Sequence, residues 1–287
     1  VGMSAASNAP ASSYAEAPTR NIAVGGVSYA YRELGPQGGV PVVFFLHLAG
    51  NLDNWDPRII DPIAKERRVI TFDNRGLGAT TGAVPNSIEA MADDAASFIR
   101  SLGLEKVDIF AFSLGGMVAQ ALIGKHPELV RKLILAGTGP RGGKGMDKIA
   151  RVTYLDIVRA YLVRADPKEF LFFNRNAAGK KAAKAFITRL HERTAGRDRP
   201  VRIQAFRTQL KAIRNWGRTT PADLSTITHP TLIANGDHDR MVPSILSMDL
   251  HRRIAGSELV MYADSGHGSI FQFHTQFAPV AVEFLGR

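Results

Sequence analysis

The sequence predicts an α/β protein: a mostly parallel central sheet flanked by helices, with a helical cap inserted between two strands. Three observations lead there. Short, nearly continuous apolar runs recur along the chain as "GVPVVFFLHLAG", "RVITFDNRG", "KVDIFAFS", "RKLILAGTG", "HPTLIANGD" and "SELVMYADSG". A strand buried on both faces requires such a run, and amphipathic helical stretches between the runs supply the covering layers. The alternation stops after Gly139 and resumes only at "HPTLIANGD". Charge marks the same interval. Between Arg141 and Arg218 stand 20 Lys and Arg against 6 Asp and Glu, so of the chain's 36 basic and 26 acidic residues the rest carries 16 and 20.

Taken in order, residues 1–19 are small, polar and Pro-containing, and are expected to form a disordered tail. "RNIAVGG" and "VSYAYREL" read as an antiparallel hairpin at one sheet edge, opening a core segment that runs from 20 to 139. Within it, Ile88, Met91, Ala95, Phe98 and Leu102 recur at helical spacing. Asn86 with Glu89 is expected to cap that helix, and Gly103 to stop it. From 140 to 219 the pattern is helical throughout. Val152, Leu155, Val158 and Leu162 form one stripe, and Ile203, Phe206, Leu210 and Ile213 another. A helical excursion that leaves and re-enters a sheet is expected to cap one end of it rather than form an independent domain. The second core segment spans 220–287.

Composition narrows the function classes. With no cysteine there is no disulfide, thiolate catalysis or Cys-based metal site. No apolar run approaches 18 residues, and the N-terminal stretch lacks a basic region followed by an apolar one, so neither a bilayer span nor a secretory leader is expected. These features point to a cytoplasmic protein without a membrane partner. The cations of 140–219 are scattered along amphipathic helices with no nucleic-acid motif, so no nucleic-acid partner is expected. Lys180, Lys181, Lys184, Arg207, Lys211 and Arg214 are expected to solvate outer helix faces; the competing idea is that some of them draw an anionic small molecule into a cleft.

The chemistry concentrates at "KVDIFAFSLGGMVAQ". Val107 to Phe112 reads as a buried strand, and the residues after Ser113 read as a helix. Ser113 therefore sits on a tight strand-to-helix turn, with Ala111 and Gly115 small because strand and helix crowd each other there. Such a turn pushes the hydroxyl outward and aims the Leu114 N–H at its surroundings from a helix N-terminus. A serine serving only as a helix cap would not require small residues on both sides. Its hydroxyl needs a base, and the base an orienting acid. Loops after later strands offer Asp237 and Asp239 in "GDHDRMVP" and His267 in "SGHGS". The C-terminal ends of parallel strands share one side of a sheet, so these groups can converge.

With Ser113, an acid and His267 in that chain order, the sequence resembles the α/β-hydrolase family from about residue 20 onward. Further matches are "DNRGLGAT", the Gly236-x-x-Asp239 loop ending in Val242-Pro243, and Gly266-His267. It is most similar to the small esterase and enol-lactone hydrolase branch, which also holds cofactor-free haloperoxidases and perhydrolases. The resemblance implies the α/β-hydrolase fold and a Ser113–His267–Asp239 triad, with Asp237 left to shape its turn. It implies cleavage of a small carboxylic ester or lactone without metal or organic cofactor, or a perhydrolase or C–C bond hydrolase reaction on the same triad. A ligand receptor built on the same fold is a lesser reading. The first oxyanion donor is the backbone N–H after a His-Gly pair in the family. This chain has His47-Leu48 and delays its glycine to Gly50, so Leu48 or Ala49 supplies that donor. His47 is expected to be structural. Asp73, Arg75 and Asp264 are expected to stitch loops, and Trp55, Phe172, Phe173 and Trp216 to be core.

Overall fold

A computed structural model describes residues 11–287. Eight strands form one sheet: β1 (Arg20–Val24), β2 (Val27–Leu34), β3 (Val42–Phe45), β4 (Val69–Phe72), β5 (Val107–Phe112), β6 (Val130–Ala136), β7 (Thr231–Gly236) and β8 (Glu258–Tyr262). Their spatial order is β1-β2-β4-β3-β5-β6-β7-β8. β2 runs antiparallel to both β1 and β4, and every other pairing is parallel. The expected edge hairpin is therefore present. Every residue of β3, β4, β5 and β7 is buried, which accounts for their unbroken apolar runs.

Helices α1 (Pro57–Ala64), α2 (Ile88–Ser101) and α3 (Leu114–Lys125) follow the inner strands. Ser87, not Asn86, caps α2, its hydroxyl accepting from the Ala90 N–H at 3.1 Å. The correction follows from register, since Ile88 is already the first residue of the buried stripe and the cap must directly precede it. Gly103 adopts the positive φ that ends the helix.

Between β6 and β7 the chain forms α4 (Ile149–Leu162), α5 (Pro167–Leu171), α6 (Ala177–Leu190) and α7 (Ile203–Arg218), with no strand among them. These helices pack over the C-terminal ends of the parallel strands. Arg189 pairs with the buried Asp56 at 2.8 Å, and Arg240 and Arg159 both reach the buried Asp156 of α4. Helices α8 (Ile245–Arg253), α9 (Ser269–Gln272) and α10 (His274–Gly286) complete the chain.

The N-terminal expectation needs revision over 11–19; residues 1–10 lie outside the described residues. Tyr14 is only 3% exposed. Its hydroxyl donates to the Leu52 carbonyl at 2.5 Å and lies 3.0 Å from Thr71 Oγ1, while its backbone N–H donates to Asp61. Arg193 of the inserted segment grips the Ala17 carbonyl at 2.6 Å. A single aromatic anchor orders this stretch, and averaging over small polar neighbours hides such an anchor in the sequence.

Candidate active site

Ser113 occupies the one residue between β5 and α3, with φ +55° and ψ −116°. Positive φ strains any residue with a Cβ, so the surroundings must enforce it. They do so through the neighbouring strand: the Ser113 N–H donates to the Ala136 carbonyl at 2.9 Å, and the Ser113 carbonyl accepts from Thr138 Oγ1 at 2.7 Å. The side chain makes no capping bond to α3. The small residues are required for a reason the sequence did not disclose. A Cβ on Gly115 would overlap the Phe45 carbonyl at the end of β3, and one on Gly116 would enter the Thr138 side chain. The crowding comes from adjacent strand ends rather than from β5 against its own helix. At the start of α3 the Leu114 N–H has no intrahelical acceptor.

His267 follows β8 in a loop and is 1% exposed. Its Nδ1 lies 2.7 Å from Asp239 Oδ2. A carboxylate acceptor selects the tautomer with hydrogen on Nδ1, leaving Nε2 as the lone-pair nitrogen. Asp239 is held from every side. Its Oδ1 accepts the backbone N–H groups of Met241 and Val242 at 2.9 and 3.0 Å, and its Oδ2 accepts Asn235 Nδ2 at 3.1 Å. Asp237 turns away, bonding exposed His238 and the Ser265 N–H. Sequence reasoning missed Asn235; its place at the buried end of an apolar strand is the signal that could have found it. Among the described residues neither the Ser113 hydroxyl nor His267 Nε2 has a hydrogen-bond partner, and both residues line one cavity of about 180 Å³.

The turn after β3 forms the opposite wall. His47 is buried edge-on to Phe112 and Phe172, and its Nδ1 lies 2.8 Å from the Leu48 carbonyl. Burial pushes its pKa down to about 3, so it stays neutral and its Nδ1–H donates to that carbonyl. Ala49 has φ +55°, and its N–H donates to Oε1 of Gln209 in α7 at 2.7 Å. Gln209 is fully buried. Gly50 lies where a Cβ would strike Leu46 and the His47 ring. With the Ala49 N–H engaged, the Leu48 N–H is left without a partner among the described residues.

The remaining walls come from the inserted helices: Thr153 and Ile157 of α4, Lys168 and Leu171 of α5, then Phe172 and Phe206. Phe172 thus does more than fill core. It packs 5.5 Å from the His267 ring and its carbonyl accepts the Gly268 N–H at 2.7 Å. Trp55, Phe173 and Trp216 are buried in the core as expected. Lys168 is the one cation of the insertion on the cavity wall among the described residues, and Asp166 beside it neutralises it at 3.1 Å. Lys180, Lys181, Lys184, Arg207, Lys211 and Arg214 are all exposed.

Asp73 stitches loops as expected, accepting the Leu52 and Ala79 N–H groups. Asp198, from the segment after α6, converges on the same Leu52 N–H at 3.1 Å. Burial, reinforced by this second acid, pushes the Asp73 carboxyl well above the usual range.

Residues 40–273 match the family model described as alpha/beta hydrolase fold. Among solved structures, an alpha/beta hydrolase fold protein from Chitinophaga pinensis shares 37% identity with a TM-score of 0.90, covering 95% of this chain and 98% of its own. The enol-lactonase from Burkholderia xenovorans LB400 shares 20% identity with a TM-score of 0.74, over 93% of this chain and all of that one, a likeness of fold. A 2-hydroxymuconate semialdehyde hydrolase of Pseudomonas sp. strain CF600 is 27% identical over 244 residues, 81% of each protein.

Proposed function

Starting from the chain's membership of the α/β-hydrolase family, we propose that it cleaves a small carboxylic ester or lactone through a Ser113–His267–Asp239 triad and an acyl-enzyme. The observation that carries this reading is the strained Ser113, its hydroxyl without a hydrogen-bond partner among the described residues, opening into the same cavity as a buried His267–Asp239 pair at 2.7 Å. Ser113 attacks the acyl carbonyl while His267 Nε2 takes its proton. Asp239 holds the tautomer and stabilises the imidazolium that forms. The oxyanion is met by the Leu114 N–H at the start of α3 and the Leu48 N–H, each worth about 3 kcal/mol in the transition state. Ala49 drops out as that donor because Gln209 occupies its N–H. His267 then returns the proton to the leaving alcohol, and water activated by the same imidazole releases the acid.

The likeness to a 2-hydroxymuconate semialdehyde hydrolase supports a second reading, C–C bond hydrolysis, because the same groups can serve it. Turnover of short p-nitrophenyl esters and simple lactones by wild type and Ser113→Ala is the test. The expected result is measurable wild-type hydrolysis that falls by roughly 10³-fold or more in a folded variant. Undiminished hydrolysis in the variant would overturn the mechanism. An inactive wild type that cleaves a vinylogous 1,5-diketone would transfer the site to C–C hydrolysis.

A further inference from the structure

Helix α4 buries only Ile149, Thr153, Asp156 and Ala160. Its outward side carries Tyr154, Leu155, Val158, Tyr161 and Leu162, all exposed, with Leu162 at 75% and Tyr161 at 82%. Val163 continues the apolar strip at 63%. Soluble surfaces seldom present so many large apolar side chains side by side without a partner. Arg151, Arg159 and Arg164 are exposed along the same helix and its end. The helix has one acid, Asp156, and that carboxylate points inward to Arg159 and Arg240.

The charges decide what covers this face. A second copy laid against it would bring arginines onto arginines, in a segment that already carries 20 basic and 6 acidic residues, with no acid on the helix's outward side to relieve them. An anionic lipid surface complements it in both respects: Leu and Val enter the acyl boundary, Tyr suits the interface, and arginines reach headgroup phosphates. We propose that the outer face of α4 docks the protein onto anionic membrane surfaces. The absence of a spanning segment bears on insertion across a bilayer, not on a helix lying along it; among the described residues no helix is long and apolar enough to cross.

Docking would also set the geometry of supply. Thr153 and Ile157 of α4 line the cavity, and Tyr154 packs edge-on against cavity-lining Phe206 at 5.7 Å. The cavity wall and the apolar strip are two sides of one helix, so a docked molecule holds its cavity beside the lipid.

The test is flotation of the full chain with vesicles of equal phosphatidylglycerol and phosphatidylcholine, against phosphatidylcholine alone. Wild type is expected to partition onto the anionic vesicles at least about tenfold more than onto neutral ones. Val158→Asp combined with Leu162→Asp should lower that partitioning by about tenfold or more, with soluble-ester turnover unchanged because neither side chain lines the cavity. Arg151→Gln with Arg164→Gln, which disturbs no apolar contact, should weaken it as well. Failure of wild type to float with anionic vesicles would overturn the proposal. So would flotation that survives the aspartate pair, or a wild-type dimer in sedimentation equilibrium that the same pair splits.

Discussion

Strands β5, β7 and β8 deliver Ser113, Asp239 and His267 from loops whose backbones are tied to neighbouring strand ends, while the insertion between β6 and β7 delivers the apolar walls, Lys168 and one buried amide, Gln209. The first region is specified from within: every residue of β5 and β7 is buried, and Ser113 is clamped by Ala136 and Thr138. The second stands on its contacts with the first, through Arg189 to Asp56, Arg240 to Asp156 and Gln209 to Ala49. The candidate catalytic groups thus sit on the core layer, while the insertion walls the cavity and is joined to the core both by these polar bonds and by buried aromatics such as Phe172, Phe186 and Trp216. Gln209 and Phe172 reach furthest into the site, Gln209 to the turn that presents the Leu48 N–H and the Phe172 carbonyl to the Gly268 N–H beside His267.

Changes that break this contrast can be ranked. The largest effect should come from the core layer. Asp239→Asn keeps most of the geometry but allows the wrong imidazole tautomer, so kcat on a p-nitrophenyl ester should fall about 10⁴-fold. A fall under tenfold would mean that the Asp239–His267 pair is structural. The next effect tests whether the insertion reaches into catalysis. Gln209→Leu removes the acceptor for the strained Ala49 turn, and kcat should drop roughly 10- to 100-fold with KM little changed, since an oxyanion forms only in the transition state. A variant that merely melts earlier while each folded molecule turns over normally would reduce Gln209 to packing.

The smallest effect sharpens the comparison through the fastening itself. Asp73 belongs to the core and Asp198 to the insertion, and the folded protein holds the Asp73 proton more tightly than the unfolded chain does. The folded state therefore binds more protons between the ordinary carboxylate pKa and the raised one. Stability contributed by this group is full below that window and declines as pH rises through it. Asp198→Asn removes the second acid, so the loss of stability between pH 5 and pH 8 should shrink. Urea midpoints at the two pH values check this. An unchanged difference would show that Asp198 does not set the Asp73 proton affinity.

Legibility followed the same division. The strand runs were readable because a strand buried on both faces must be apolar throughout. The Ser113 turn was readable because tight backbone packing admits few residue types at its flanks. Asn235 escaped, since one amide at the end of "TLIANG" carries no periodic signal. Tyr14 escaped because composition averages away a single anchor. On α4 the stripe of Val152, Leu155, Val158 and Leu162 does not mark the buried face: Leu155, Val158 and Leu162 point outward. That helix is apolar on more than one side, and periodicity cannot say which side faces the core.

The sequence by itself determined the alternation of strands and helices, the position and order of Ser113, Asp239 and His267, and the segregation of positive charge into one insertion. These are local consequences of side-chain volume, backbone freedom and burial period. Only the tertiary structure decided that the Ala49 N–H is taken by Gln209 while Leu48's has no partner among the described residues, and that the insertion turns most of its cations away from the cavity. Each of those depends on a contact between residues distant in the chain. Such contacts are settled by packing and hydrogen-bond satisfaction in three dimensions, for which a linear pattern holds no record.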